Sequence, residues 1–207
     1  MLEVLLLVSA LSLDAFVASI AYGTNKIKIP FSSLTVINLV CSAFLAISLF
    51  LGSILKKFIP DRATLIISFV ILFLLGIYYL FESLIKTYLR KHTNANKKVT
   101  VKVSDIQFVL DIYLDETKAD INKSKILSYK EAFYLAVALS LDSLAVGFAG
   151  SLGDINYLLV VLCSFICGIL AILLGTFIGR KIVEKTNINL SWLSGVLLIA
   201  LAFKRLF

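Results

Sequence analysis

Apolar residues in this chain come in long unbroken stretches, not in the alternation of a half-buried strand or the stripe of a surface helix. A helix needs about 20 mostly apolar residues to cross a bilayer core about 30 Å thick. Six stretches approach or exceed that length: 2–22, 31–55, 63–85, 131–150, 155–179 and 190–207. They form two groups of three, separated by a charged segment. The pattern predicts an all-α membrane protein of six transmembrane helices, with a three-helix unit over 1–89, a cytoplasmic loop over 90–129 and a second three-helix unit over 130–207.

Composition agrees, since 60% of the 207 residues are hydrophobic and only two are proline, far outside soluble usage. The net charge of +7 could suggest a nucleic-acid partner, but ten of the twenty Lys and Arg lie within 86–130 and the rest flank the apolar stretches. Orientation in a bilayer explains that distribution, so the lipid bilayer is the expected partner and nucleic acid is not. Placing 86–130 on the cytoplasmic side, with Lys26, Lys28, Arg180, Lys181 and Lys185, puts fifteen basic residues there. Only Lys56, Lys57, Arg62, Lys204 and Arg205 remain opposite. The positive-inside rule then predicts a multi-pass protein of the inner (plasma) membrane with both termini outside. Met1-Leu2-Glu3 lacks the basic start of a secretory signal, so the first span is expected to be retained. Cys41, Cys163 and Cys167 all fall within spans and offer no disulfide framework.

Leu11-Ser12-Leu13-Asp14 recurs as Leu139-Ser140-Leu141-Asp142, each time deep in an apolar stretch. A charge near the bilayer centre costs several kcal/mol, so such residues usually line a polar path. Aligning the two Asp residues also aligns Glu3 with Glu131 and Ala10 with Ala138. With small gaps the likeness extends to Cys41-Ser42 and Cys163-Ser164, Gly52 and Gly175, Gly76 and Gly195. An odd number of spans per unit makes the second copy enter from the opposite face, giving two inverted three-helix repeats. Both carboxylates then lie roughly 18 Å into their helices, near the midplane, where the helices can bring them together. Small residues around them, Ala10, Ala15, Ala18 and Ser19 in one copy and Ala138, Ser143, Ala145 and Gly147 in the other, suit close helix packing. A simpler role for the Asp pair is hydrogen bonding to Ser or Thr on a neighbouring helix. Two carboxylates at one depth exceed that need, and a cation or a shared proton would relieve their repulsion.

Asn38, Cys41 and Ser42 share one helical face of the second span, as do Ser164, Cys167 and Gly168 in the fifth. Facing the Asp pair, these oxygen and thiol groups would complete a site for a divalent transition metal. The thiols would favour zinc, cadmium or copper over magnesium. Membrane Cys and Ser also serve simply as small packing residues. Glu82 precedes Lys86 by four residues, a helix-surface ion-pair spacing. Trp192, Lys204 and Arg205 read as interfacial anchors, and His92 as a solvated loop residue. Asp120 to Glu131 follows the spacing of a calcium loop, but Lys125 stands where that motif wants glycine. A capping box with Ser128 as N-cap and Glu131 at N3 is the competing reading. Residues 91–102 read as polar and basic, and 106–114 as a short interfacial helix.

With these residues in place, the chain resembles the MntP/YtaF family of bacterial membrane proteins, related to the wider LysE exporter group. The resemblance covers nearly the whole chain. It rests on Ser12-Leu13-Asp14-Ala15-Phe16-Val17-Ala18-Ser19, on Ser140-Leu141-Asp142-Ser143-Leu144-Ala145-Val146-Gly147 and on Leu197-Leu198-Ile199-Ala200. The charged insertion ending Ser128-Tyr129-Lys130-Glu131-Ala132 is similar to the YtaF branch, described as sporulation membrane proteins. The resemblance implies a six-span inner-membrane protein of manganese-efflux type, with Asp14 and Asp142 as matched transport carboxylates. It also implies an acidic residue in the second span, where this chain has Asn38-Leu39-Val40-Cys41-Ser42.

The expected function is a secondary transporter exporting a divalent cation, manganese-like, past the Asp pair, with protons able to recharge the carboxylates. Such a protein is no enzyme and holds no resident cofactor. Self-association as a homo-oligomer is compatible with the sequence. The alternative is a non-transporting sporulation protein whose central loop contacts a partner. An intramembrane aspartyl protease is a third class, opposed by the absence of a Gly-x-Gly-Asp setting at either Asp.

Overall fold

The computed structural model describes residues 2–92, 105–114, 116–153, 155–181 and 191–206. The α-helices are α1 (Leu2–Thr24), α2 (Phe31–Lys56), α3 (Asp61–His92), α4 (Asp105–Leu114), α5 (Tyr129–Ser151), α6 (Tyr157–Lys181) and α7 (Ser191–Leu206). Five of them, all but α4 and α7, are long and apolar enough to cross a membrane. The stretch 190–207, expected as a sixth span, contains α7, whose 16 described residues rise roughly 24 Å, short of the length that the other five reach. Most of the basic stretch 91–102, Lys185 and the side chains of Glu82, Lys86, His92, Trp192 and Arg205 lie outside the described residues.

Lipid replaces water as the outer solvent of this bundle. Along α6, Leu158, Leu162, Ile166, Leu170 and Leu174 recur every four residues, and each is more than half exposed. In water such a stripe would be a liability; against acyl chains it is the expected surface.

Inside, α1 packs chiefly against α6, α2 against α5, and α3 against α7. Small residues permit the first two pairings, because helix association in lipid depends on close van der Waals approach. A Cβ on Gly179 would lie 2.4 Å from the carbonyl oxygen of Ile20, and one on Gly175 would lie 2.6 Å from that of Phe16. Both contacts advance together along the chain, so α1 and α6 run parallel. The second pair is also parallel: Ser33 donates to the Leu127 carbonyl at 2.7 Å at one end, Ser48 to that of Leu144 further on, and Gly52 meets Ser151 at the other end. Since successive long helices alternate in direction, α5 is antiparallel to α1.

Glu3 at the start of α1 pairs with Lys204 near the end of α7 at 3.4 Å. That bond ties the two ends of the chain together and gives Lys204 a protein partner in addition to any headgroup. At the opposite end of the bundle, Lys28 bridges Ile126, with backbone bonds of 2.8 Å from Lys28 to Lys125 and 3.0 Å from Leu127 to Lys28. Gly23 and Gly179 meet at this same end, which gathers Lys26, Lys28, Lys125 and Arg180.

The segment between the two three-helix groups folds onto that basic end. Phe108 of α4 stacks edge-on against Tyr134 of α5 at 5.2 Å, and Tyr113 reaches Asp142, two turns deeper along α5. Ile112 is fully buried, and the chain then returns to α1, where Tyr22 donates to the Glu116 carbonyl at 2.5 Å. The helix expected over 106–114 thus forms, but it dips into the bundle alongside α5.

Ser128 caps α5, accepting the Glu131 N–H, while Glu131 accepts the Ser128 N–H at 2.8 Å. The other Glu131 oxygen accepts from the N–H groups of Ile121 at 3.0 Å and Asn122 at 3.4 Å. Asp120 likewise accepts from Ser124 and Lys125, each at 3.1 Å. The two carboxylates of the calcium-like spacing are therefore engaged with backbone donors, and Lys125 occupies the left-handed region at φ 59°.

Candidate functional site

Four helices, α1, α2, α5 and α6, meet around a cavity of about 40 Å³. That is room for one or two water molecules or a dehydrated ion. Asp14 and Ser12 reach it from α1, Asn38, Cys41 and Ser42 from α2, Leu139 and Ser143 from α5, and Ser164 and Gly168 from α6. Asp14 stands twelve residues after Leu2 and Asp142 thirteen after Tyr129, about 18 and 20 Å along their helices.

Of the residues singled out from sequence, Asp14, Asn38, Cys41, Ser42 and Ser164 line the cavity. Asp142 does not line it, although its helical neighbours Leu139 and Ser143 do. Cys167 sits on an adjacent stripe of α6 and, with Cys163, packs against the larger apolar cluster. The spacing i, i+3, i+4 is broad enough to span two faces. Here the i, i+4 pair, Ser164 and Gly168, holds the cavity side.

Each polar group has a defined setting. Asn38 is buried, and its amide donates to the Leu34 carbonyl at 3.0 Å. Its side-chain oxygen lies where a Cβ on residue 168 would come within 2.3 Å, so glycine there makes room for it. The Cys41 thiol contacts the Ala136 carbonyl at 3.7 Å and receives the Ser140 hydroxyl at the same distance, which ties it to α5.

Both carboxylates accept from tyrosine. Tyr79 of α3, nearly fully buried, donates to Asp14 at 3.1 Å; Tyr113 of α4 donates to Asp142 at 3.1 Å. Tyr78 lies 3.0 Å from the Tyr113 oxygen. A phenol carries one hydrogen, and that of Tyr113 points to Asp142, so Tyr78 is the donor. Sequence reasoning passed over all three tyrosines. The adjacent Tyr78-Tyr79 pair within an apolar span was the available signal, since a buried phenol requires a partner.

The chemistry on offer is one lining carboxylate, an amide oxygen, hydroxyls and a tied thiol, with Asp142 one residue before the lining Ser143. Hard oxygen donors suit hard or borderline cations. Among the described residues no three His, Cys, Asp or Glu side chains converge to hold a metal.

An apolar bundle of this kind, around a polar, carboxylate-bearing cavity, defines a multi-pass membrane protein. Residues 106–206 match the family described as "Putative manganese efflux pump". The chain is 30% identical to the "Putative manganese efflux pump MntP" of Methanosphaera stadtmanae, over 99% of this chain and 97% of that protein. It is also 30% identical to the protein of that name in Aliarcobacter butzleri, over 99% and 98% respectively. The "Probable sporulation protein YtaF" of Bacillus subtilis is 29% identical over the full chain and 99% of its own length. The chain belongs to the MntP family. No solved structure matches it.

Proposed function

We propose that this protein is a secondary transporter that exports a divalent cation, manganese-like, through the cavity lined by Asp14, with Asp142, next in sequence to the lining Ser143, as the second transport carboxylate. The observation that carries the reading is a carboxylate-lined cavity of ionic size between four apolar helices in a chain of this family. The cation is cargo: Asp14, Asn38 and the hydroxyls of Ser42 and Ser164 replace part of its hydration shell, and the modest charge of the site allows release.

We further infer that the two three-helix groups are inverted repeats. The reciprocal pairing of α1 with α6 and α2 with α5, each parallel, supports this, as does the antiparallel relation of α1 to α5. Glycine contacts seal each pair, whereas the cavity lies between the pairs. Rocking of the α1–α6 pair against the α2–α5 pair would open the cavity to each face in turn.

The test is flux in proteoliposomes with manganous, zinc, cadmium, cobalt and calcium ions. Asp-dependent flux of at least one ion is expected. Absence of flux with every ion, from folded protein, would instead favour a non-transporting sporulation protein that uses its central segment to bind a partner. The likeness to the Bacillus subtilis protein supports that second reading.

A further inference from the structure

Two carboxylates on different helices each receive a phenol hydrogen, and the two phenols come from different places. Tyr79 belongs to the first helical group, whereas Tyr113 belongs to the segment between the groups, which hydropathy alone assigns to a loop. A loop helix carried only as a surface feature has no reason to bury Ile112 completely or to send a phenol two turns down α5.

We propose that Tyr79 and Tyr113 are positioning residues for Asp14 and Asp142, and that α4 is therefore a working part of the ion site. This rests on the transporter reading above. A phenol O–H fixes the rotamer of a carboxylate without adding positive charge beside it, which a Lys or Arg would do. The phenol thus orients the carboxylate without itself neutralising its charge. Tyr78 strengthens the second arm, because its hydroxyl donates to Tyr113 and polarises the bond that Tyr113 makes to Asp142. The rings of Tyr78 and Tyr79 meet edge-on at 5.8 Å, so one turn of α3 supports both arms.

The experiment is manganous-ion flux by the full chain in proteoliposomes, comparing wild type with Tyr79→Phe, Tyr113→Phe, Tyr78→Phe and Tyr78→Phe/Tyr113→Phe. Each phenylalanine keeps the ring and removes only the hydroxyl. Loss of a hydrogen bond to a charged group predicts a KM about tenfold higher in Tyr79→Phe and Tyr113→Phe, with the maximal rate per folded protein nearly unchanged. Tyr78→Phe should raise KM less. The double variant should match Tyr113→Phe alone, because Tyr78 acts through Tyr113. A merely structural role would lower the yield or melting temperature and leave KM in place. Wild-type flux with KM unchanged in both Tyr79→Phe and Tyr113→Phe overturns the inference alone. Wild type without flux overturns the transporter reading and this inference with it. Should Tyr113→Phe fail to fold, Tyr79→Phe and Tyr78→Phe decide by the same split.

Discussion

Replacing Gly179 by alanine sets one methyl group against a helix backbone. Its Cβ would lie 2.4 Å from the Ile20 carbonyl oxygen and 2.9 Å from the Gly23 Cα, where ordinary contact begins near 3.4 Å. Neither atom belongs to a side chain that can rotate away, so α1 and α6 must separate by about 1 Å at this crossing. A gap of that size forfeits a quarter to a half of each affected contact, and overpacking of this kind typically costs about 1–3 kcal/mol. Alanine's better helix propensity offsets up to about 1 kcal/mol. The net expectation is a loss of about 1–2 kcal/mol, read as a melting temperature lower by roughly 2–4 °C per kcal/mol. Thermal unfolding of purified protein in detergent, followed by monodispersity, measures it. Gly150→Ala is the control, because its Cβ would meet the movable Leu7 methyl at 2.5 Å and should be tolerated better. Gly179→Ala protein as stable as wild type would refute the claim that backbone contact holds α1 to α6.

Four other substitutions probe separate parts of the structure. Lys125→Gly should stabilise by about 1 kcal/mol in the same melting assay, since glycine adopts φ 59° without the left-handed penalty. Glu131→Ala should destabilise by about 2 kcal/mol or more, because it removes both the capping box and the acceptor for Ile121 and Asn122; Ser128→Ala, which removes only the cap, should lose about 1 kcal/mol. Gly168→Ala should push the Asn38 oxygen toward the cavity and cut manganous-ion flux at least severalfold, with a smaller effect on melting than Gly179→Ala.

The spans were legible because hydropathy alone decides which residues lipid accepts. The expected stretch 31–55 matches Phe31–Lys56, and 155–179 lies within two residues of Tyr157–Lys181 at each end. Asp14 stood out because a carboxylate in such a stretch has few purposes. Cys167 was harder to place, since thiols pack as readily as they ligate and a one-residue difference around the helix moves the side chain to another face. The course of α4 was illegible for a related reason: Phe108, Val109 and Ile112 make an apolar face that suits a bilayer surface and a neighbouring helix equally well. Only the tertiary fold shows that this face meets α5, and only there do Tyr79 and Tyr113 find their carboxylates.

The central claim is that transport needs both Asp14, which lines the cavity, and Asp142, whose neighbour Ser143 lines it. Manganous-ion flux in proteoliposomes, normalised to folded protein, should be measured for wild type, Asp14→Asn, Asp142→Asn and the double variant. Flux in the wild type that falls at least tenfold in each single variant, with no further loss in the double, is the predicted result; flux in the double variant equal to that of the wild type would contradict the account.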